Sequence, residues 1–255
     1  MRRPLAIVTG ARRGIGFGIA KALASKGFDL VITDIAADEA SESAIEILQN
    51  LGAKAQFIQA DIADLSAHQA TVQTIIDEFG QIDCLVNNAG IGSKVRGDFL
   101  DLDAANYDTI FDVNLRGTVF FSQAIVREMI SDKAVGHPRS IINITSVSAA
   151  MTSPERLDYC MTKAALAAFT QGLALRLADH DISVFDVRPG IIRSDMTASV
   201  TEKYDRLISD GLVPMKRWGE PDDLGRIAAA LASGDFNFAT GSIINADGAL
   251  SISRL

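Results

Sequence analysis

Short apolar, often β-branched runs alternate along the whole chain with longer segments of helical period, and this alternation limits the possible folds more than any other feature. Residues 5–9 precede a helical segment at 16–26, 30–33 precede 36–51, and 55–59 precede 66–79. Residues 83–87 are strand-like again, and a helix is expected over 103–114, continuing through 119–131. Strands at 140–144 and 182–187 flank a helix at 159–178, and a helix at 222–231 with a strand at 242–245 closes the series. Repeated strand–helix units supply the crossovers of a parallel sheet whose two faces are both covered. No Pro-, Gly- or Ser-rich break and no internal repeat divides the sequence, so residues 1–255 are expected to form one α/β domain. The least regular stretch is 192–218, where polar residues and Pro214 interrupt any period. It is expected to be a lid over a ligand, with an ordinary surface helix–loop as the plainer alternative.

Composition excludes several classes of partner. The chain has a net charge of −8 and no run of Lys or Arg longer than a pair, whereas nucleic acid and anionic membranes call for a concentrated basic face. Cys84 and Cys160 have neither metal-type nor redox-pair spacing, which suits a reducing compartment. The apolar run behind Met1-Arg2-Arg3-Pro4 stops at Thr9-Gly10, as a first strand does and a signal peptide does not. No apolar stretch approaches the ~20 residues of a membrane helix. A cytoplasmic protein with a small-molecule partner and no bound metal is the expectation.

Thr9-Gly10-Ala11-Arg12-Arg13-Gly14-Ile15-Gly16 falls where the first strand turns into the first helix. Gly10 permits the tight turn, and Gly14 and Gly16 remove β-carbons that would obstruct a pyrophosphate or crowd the helix against the strand. With Arg13 and Ile15 between them, these glycines open a helix N-terminus whose free N–H groups and dipole favour an anion. A purely steric glycine turn is the alternative. Asp34, about 20 residues on at the end of the second strand, is placed to accept bonds from an adenosine ribose and to repel a ribose 2′-phosphate. It favours NAD. Arg13 pulls toward NADP, since a guanidinium beside the loop can pair with that phosphate. Asp34 can equally be a helix cap, and Arg13 a solvated loop charge.

Tyr159 and Lys163 lie four apart on the helix expected at 159–178, hence on one face. A free tyrosine has a pKa of ~10, and an ammonium beside it favours the phenolate, giving an acid/base closer to neutrality. Ser146, just past the strand at 140–144, is placed to bond a substrate oxygen and stabilise developing charge. Singly, each has a plainer account: a packing aromatic, a solvated helix charge, a turn serine. The glycine loop, Asn87-Asn88-Ala89-Gly90, Asn114, Ser146, Tyr159-Cys160-Met161-Thr162-Lys163 and Pro189-Gly190 together resemble the short-chain dehydrogenase/reductase family in order and spacing over nearly the whole chain. The tail, Arg217-Trp218-Gly219-Glu220-Pro221 and 240–248, is similar to that of 3-oxoacyl-acyl-carrier-protein reductases.

The resemblance implies a doubly wound Rossmann fold of about seven strands, hydride transfer between a nicotinamide and a carbonyl or secondary alcohol, and a homotetramer built through 103–131 and 159–178. It implies that Asn114 holds a water linking Lys163 to solvent, and that Lys163 also bonds the nicotinamide ribose. It puts Asp61 and Ile62 at the adenine, Asn87, Ala89 and Gly90 beside the riboses, and Pro189, Gly190, Ile192 and Ser194 at the carboxamide. Asn88 is expected to tie strands together. The alternatives are an NADPH-dependent 3-oxoacyl-acyl-carrier-protein reductase and a catalytically silent dinucleotide sensor; Asp34 counts against the first, and the retained Tyr159 and Lys163 against the second. His68, His137 and His180 lack metal or nucleophile–base spacing and are expected at exposed positions. Cys160 is expected to pack inward. Arg156, before the catalytic helix, is a surface ion-pair residue or a contact for an anionic substrate group.

Overall fold

The computed structural model describes residues 2–131, 136–198 and 200–254. Its sheet has seven strands: β1 (Leu5–Thr9), β2 (Asp29–Asp34), β3 (Ala55–Gln59), β4 (Cys84–Asn87), β5 (Arg139–Ile144), β6 (Ile182–Pro189) and β7 (Ile243–Ala246). They lie in the order β3-β2-β1-β4-β5-β6-β7, and every neighbouring pair is parallel. Around the sheet stand α1 (Gly14–Ser25), α2 (Glu39–Asn50), α3 (His68–Phe79), α4 (Ala104–Phe111), α5 (Thr118–Ser131), α6 (Leu157–Leu177), α7 (Asp195–Ala198), α8 (Thr201–Ser209) and α9 (Pro221–Leu231). The parallel sheet covered on both faces that the alternation implies, and the doubly wound order of seven strands that the resemblance implies, are both observed.

Successive strand residues feed opposite faces. Val8, Ile32, Val86, Ile142 and Phe185 pack with Ile19 and Leu23 of α1 and Leu224 and Ala228 of α9. Ile7, Val31, Leu85, Ile141 and Val184 pack on the other face with Val72, Phe121, Ile125 and Leu177. The inner strands β1, β4, β5 and β6 are buried on both faces almost throughout, whereas the edge strands β3 and β7 stay partly exposed. Among the described residues no helix is long and apolar enough to cross a membrane.

The structure departs from the sequence expectations in three places. The helix expected from 103 through 131 is interrupted by a π-helical turn at Asp112–Gly117 that carries Asn114. A β-carbon at Gly117 would lie 2.2 Å from the carbonyl oxygen of Ile62, so this glycine lets the widened turn press against the loop after β3. Next, α2 starts at Glu39 and not at 36, because Asp38 and Ser41 form a reciprocal capping box there. Finally, 192–218 is not irregular: it holds α7 and α8, with Ile208 and Tyr204 packed against Val213 and Trp218 in a small separate core. Residue 199 lies outside the described residues.

Candidate active site

The strand order reverses between β1 and β4, and the carboxyl ends of these strands flank the crevice where a doubly wound sheet takes its ligand. Side chains fasten the two ends together. Thr9 Oγ1 accepts from the backbone N–H groups of Asn88 and Ala89, each at 3.0 Å, and Asn88 Nδ2 donates to the carbonyls of Thr9 and Gly10 at 2.9 and 2.8 Å. Asn88 is the tie expected of it.

Gly10 and Gly14 have φ of +63° and +59°, which glycine adopts without strain. A β-carbon at Gly16 would lie 2.4 Å from the Gly10 carbonyl and 2.5 Å from Asn88 Nδ2, so any side chain there collides with the tie between the strands. Nothing lies within 4 Å of a β-carbon placed at Gly14. The first turn of α1 has no side-chain cap on Arg13 and no acidic residue. Its N–H groups therefore face an open cradle suited to a pyrophosphate, while Ile15 packs down onto the core.

At the far end of the crevice, Asp34 Oδ1 accepts from Arg12 Nε at 3.2 Å, and Arg12 also bonds Asp38. The cation beside Asp34 is thus Arg12, which sequence reasoning overlooked. Arg13 points the other way: its Nε is 2.9 Å from Asp195 of α7. No periodicity distinguishes two adjacent loop arginines. What separates them is their acidic partners, Asp34 and Asp38 for Arg12 and Asp195 for Arg13.

Around the start of α6 the structure brings together four of the expected side chains. Ser146, just beyond β5, is buried and accepts from the Ser148 N–H at 3.0 Å. Tyr159 is half-buried, and Lys163 Nζ lies 5.7 Å from its ring centre. Lys163 is buried and donates to the Ile144 carbonyl at 3.0 Å. Burial pushes Lys163 down to about 8, against the opposing charge of Asp186. Burial pushes the Tyr159 phenol up, with a hydrogen bond from Ser146 and the charge of Arg156 acting the other way. The expected lowering by Lys163 is not seen in the protein alone: desolvation of the phenolate outweighs the Ser146 hydrogen bond and the Arg156 charge that oppose it.

Asn114 is fully buried in the π turn. Its Oδ1 accepts from the Ile91 N–H at 2.7 Å, and its Nδ2 donates to the Ile91 carbonyl at 2.9 Å and to Thr162 Oγ1 at 3.3 Å. A β-carbon at Gly90 would sit 3.2 Å from Asn114 Oδ1 and 3.7 Å from Lys163 Nζ, so the chain passes directly beside the pair. A π turn widens the helix by one residue, and such turns often mark functional sites.

The remaining expected residues occupy varied settings. Asn87 turns its side chain into the core, where Nδ2 donates to Ser122 Oγ at 2.8 Å and Asn143 Oδ1 at 2.7 Å; only its main chain can face the crevice. Ala89 and Gly90 follow at the rim, half-buried. Asp61 is exposed and closes a turn by accepting from the Ala63 N–H at 2.9 Å, and the Ile62 side chain packs into the core. Pro189 ends β6, and Gly190 donates to the Ala246 carbonyl at 3.0 Å. Ile192 is buried against Gly219, and the N–H of Ser194 donates to Thr197 Oγ1 at 3.0 Å.

His68 corrects an expectation: it is buried, with Nε2 2.9 Å from the Ile62 carbonyl and its ring edge-on to Phe121. A histidine that satisfies a buried carbonyl looks, in sequence, like any other helix-start residue. Cys160 is buried as expected, its sulfur accepting from the Ser153 N–H at 3.4 Å. Sequence reasoning also missed Asp158, which accepts from Ser93 Oγ at 2.6 Å and so ties the loop after β4 to the start of α6.

Comparisons with known proteins show what the whole chain resembles. A family model described as enoyl-(acyl carrier protein) reductase matches residues 10–251. The chain is similar to a crystal structure of 3-oxoacyl-[acyl-carrier protein] reductase from Brucella melitensis in complex with NAD, with 63% identity, a TM-score of 0.97 and 100% of each chain covered. It is 32% identical over 246 residues to the 3-oxoacyl-[acyl-carrier-protein] reductase of Staphylococcus epidermidis, covering 96% of this chain and 98% of that one. It is 33% identical over 262 residues to the galactitol 2-dehydrogenase of Agrobacterium fabrum, covering 97% of each.

Proposed function

This chain belongs to the short-chain dehydrogenase/reductase family and is an oxidoreductase of hydroxyl and keto groups; on that premise we propose that it interconverts a small secondary alcohol and its ketone, with NAD preferred and Tyr159 as the acid/base. The observation that carries this is the convergence of Ser146, Tyr159 and Lys163 beside an open, uncapped helix N-terminus at the strand-order reversal. A bound nicotinamide dinucleotide supplies the hydride donor or acceptor.

The chain's own residues divide the remaining work. Gly10, Gly14, Ile15 and Gly16 form the pyrophosphate cradle, and Asp34, with Asp61 and Ile62 beyond it, takes the adenosine end. The rim segments of Asn87, Ala89 and Gly90, and of Pro189, Gly190, Ile192 and Ser194, hold the nicotinamide end. Ser146 donates to the substrate oxygen. During reduction Tyr159 gives its proton to that oxygen, and during oxidation it takes the proton back. Lys163, held at the Ile144 carbonyl, is the cation that stabilises the phenolate left behind. Asn114 fixes the Ile91 main chain and keeps the Gly90 segment against Lys163.

Asp34 supports NAD, because a 2′-phosphate would meet its carboxylate, and Arg12 is already engaged by Asp34 and Asp38. The NAD complex of the Brucella protein agrees with this choice. Segment 192–218 serves as the lid: Asp195 reaches Arg13, and Met196 Sδ lies 3.6 Å from where a Gly92 β-carbon would be. A tetramer through α5 and α6, where Phe120 and Leu175 are exposed in the single chain, and a place in the cytoplasm are part of this proposal. Sedimentation as a monomer would contradict the tetramer. The activity is tested by absorbance at 340 nm with NAD and NADP against a panel of alcohols and ketones that includes a 3-oxoacyl thioester. NAD-linked turnover of a secondary alcohol is expected. A strong NADP preference would overturn the role of Asp34, and thioester reduction alone would favour the acyl-carrier-protein reductase.

A further inference from the structure

Arg156 has no part in the chemistry above, yet its guanidinium carbon lies 5.5 Å from the centre of the Tyr159 ring, against 5.7 Å for Lys163 Nζ. Arg156 is the residue just before α6, with non-helical backbone (φ −146°, ψ 45°), so its side chain reaches the Tyr159 ring from outside the helix while Lys163 reaches it from the next turn within. Arg156 is half-buried, and its Nε donates to Ser153 Oγ at 3.4 Å. Among the described residues no carboxylate pairs with it. The neighbouring acids are engaged elsewhere or face solvent: Asp158 holds Ser93 and the Tyr159 N–H, Asp98 caps a turn at Leu100, and Glu155 is exposed.

The loop after β4 completes this rim. It is pinned to the start of α6 at both ends, by Ser93 on Asp158 and by the Gly97 N–H on the Glu155 carbonyl at 3.3 Å. Lys94 and Arg96 stand exposed between the pins. In a chain of net charge −8, three cations unpaired among the described residues therefore share one edge of the site.

We propose that the substrate carries an anionic oxygen group, a carboxylate or a phosphate, close to its reacting carbon, and that Arg156 receives it. The inference rests on the dehydrogenase reading and adds the substrate class to it. A guanidinium packed over a ring presents its planar fork with little freedom left to lose, which suits two-point recognition of an oxyanion. Lys94 and Arg96 add a positive field that draws such a ligand in. A neutral sugar alcohol or thioester would leave the half-buried guanidinium without an anionic partner.

The full-length enzyme is given NADH with 3-oxobutanoate or its methyl ester, and with dihydroxyacetone phosphate or dihydroxyacetone. Values of kcat/KM are compared within each pair. Binding of all four to the enzyme–NADH complex is followed by nicotinamide fluorescence. In at least one pair the anion is favoured about tenfold or more, as a charge-assisted hydrogen bond allows, and that pair distinguishes carboxylate from phosphate. Arg156→Gln brings the ratio toward one by raising KM for the anion, and Arg156→Lys recovers part of it. The guanidinium also favours ionisation of Tyr159, but this acts on both members of a pair and cancels in the ratio. Neutral members equal or preferred in both pairs, anions that neither bind nor react, or a preference that survives Arg156→Gln would overturn the inference. Failure of every alcohol and ketone in the wider panel would count against the dehydrogenase reading instead.

Discussion

Replacing Asn114 with alanine removes three hydrogen bonds from a fully buried position, two of them to the main chain of Ile91. The Ile91 N–H and carbonyl then lack a protein partner, and each such group costs about 1–3 kcal/mol when water cannot replace it. Ile91 is half-buried, so water recovers part of the loss, and the lower part of the summed range, about 2–3 kcal/mol, is expected. Urea denaturation of the cofactor-free protein measures this as a lowered midpoint at unchanged slope. Asn114→Asp is the informative companion: an ionised carboxylate still accepts from the Ile91 N–H but faces its carbonyl oxygen and buries a charge, so its loss is expected to be at least as large as alanine's. Turnover falls in both variants, because the Gly90–Ile91 main chain beside Lys163 loses its anchor. An alanine variant within 0.5 kcal/mol of wild type would refute the claim that this amide carries the loop.

Other substitutions probe separate parts of the site. Asp34→Ser removes the carboxylate a 2′-phosphate would meet and one of Arg12's two acidic partners, Asp38 remaining, and is expected to raise kcat/KM for NADP relative to NAD by about tenfold or more, as one charged contact allows; an unchanged ratio contradicts the placement of the adenosine end. Gly16→Ala drives a β-carbon into the Gly10 carbonyl, which is backbone and cannot yield, so dinucleotide binding measured by calorimetry is expected to be lost or the protein destabilised, and a fully stable, tightly binding variant refutes the cradle. Lys163 titrates at about 8 in the folded protein against 10.5 ordinarily. The unfolded chain therefore binds the extra proton between these values, and the stability of wild type relative to Lys163→Met rises as pH increases from 8 to 10. A difference independent of pH over that window would show that burial does not disfavour the ammonium.

What the sequence disclosed was whatever periodicity or spacing encodes. The inner strands could be found because both faces are buried, leaving runs such as Leu5–Thr9 bounded by loops or helical period, and the edge strands because short β-branched or aromatic runs fall between helical segments. Tyr159 and Lys163 were legible because a helix converts a spacing of four into shared direction. The π turn at Asp112–Gly117 was not, since it keeps helical composition and shows itself only through a Gly117–Ile62 approach between distant segments. The opposite headings of Arg12 and Arg13, the burial of His68 and the tie from Ser93 to Asp158 depend likewise on tertiary partners. So does the raised Tyr159: spacing reports the neighbouring charge but not how much water the fold takes away.

The central claim is that the Tyr159 hydroxyl moves the proton while other residues bind the dinucleotide. Tyr159→Phe removes that oxygen and keeps the ring. Steady-state turnover at 340 nm is expected to fall by about 10²–10⁴-fold, with NADH affinity by fluorescence within about twofold of wild type, well inside one hydrogen bond's worth. Near-normal turnover in the phenylalanine variant would contradict the account.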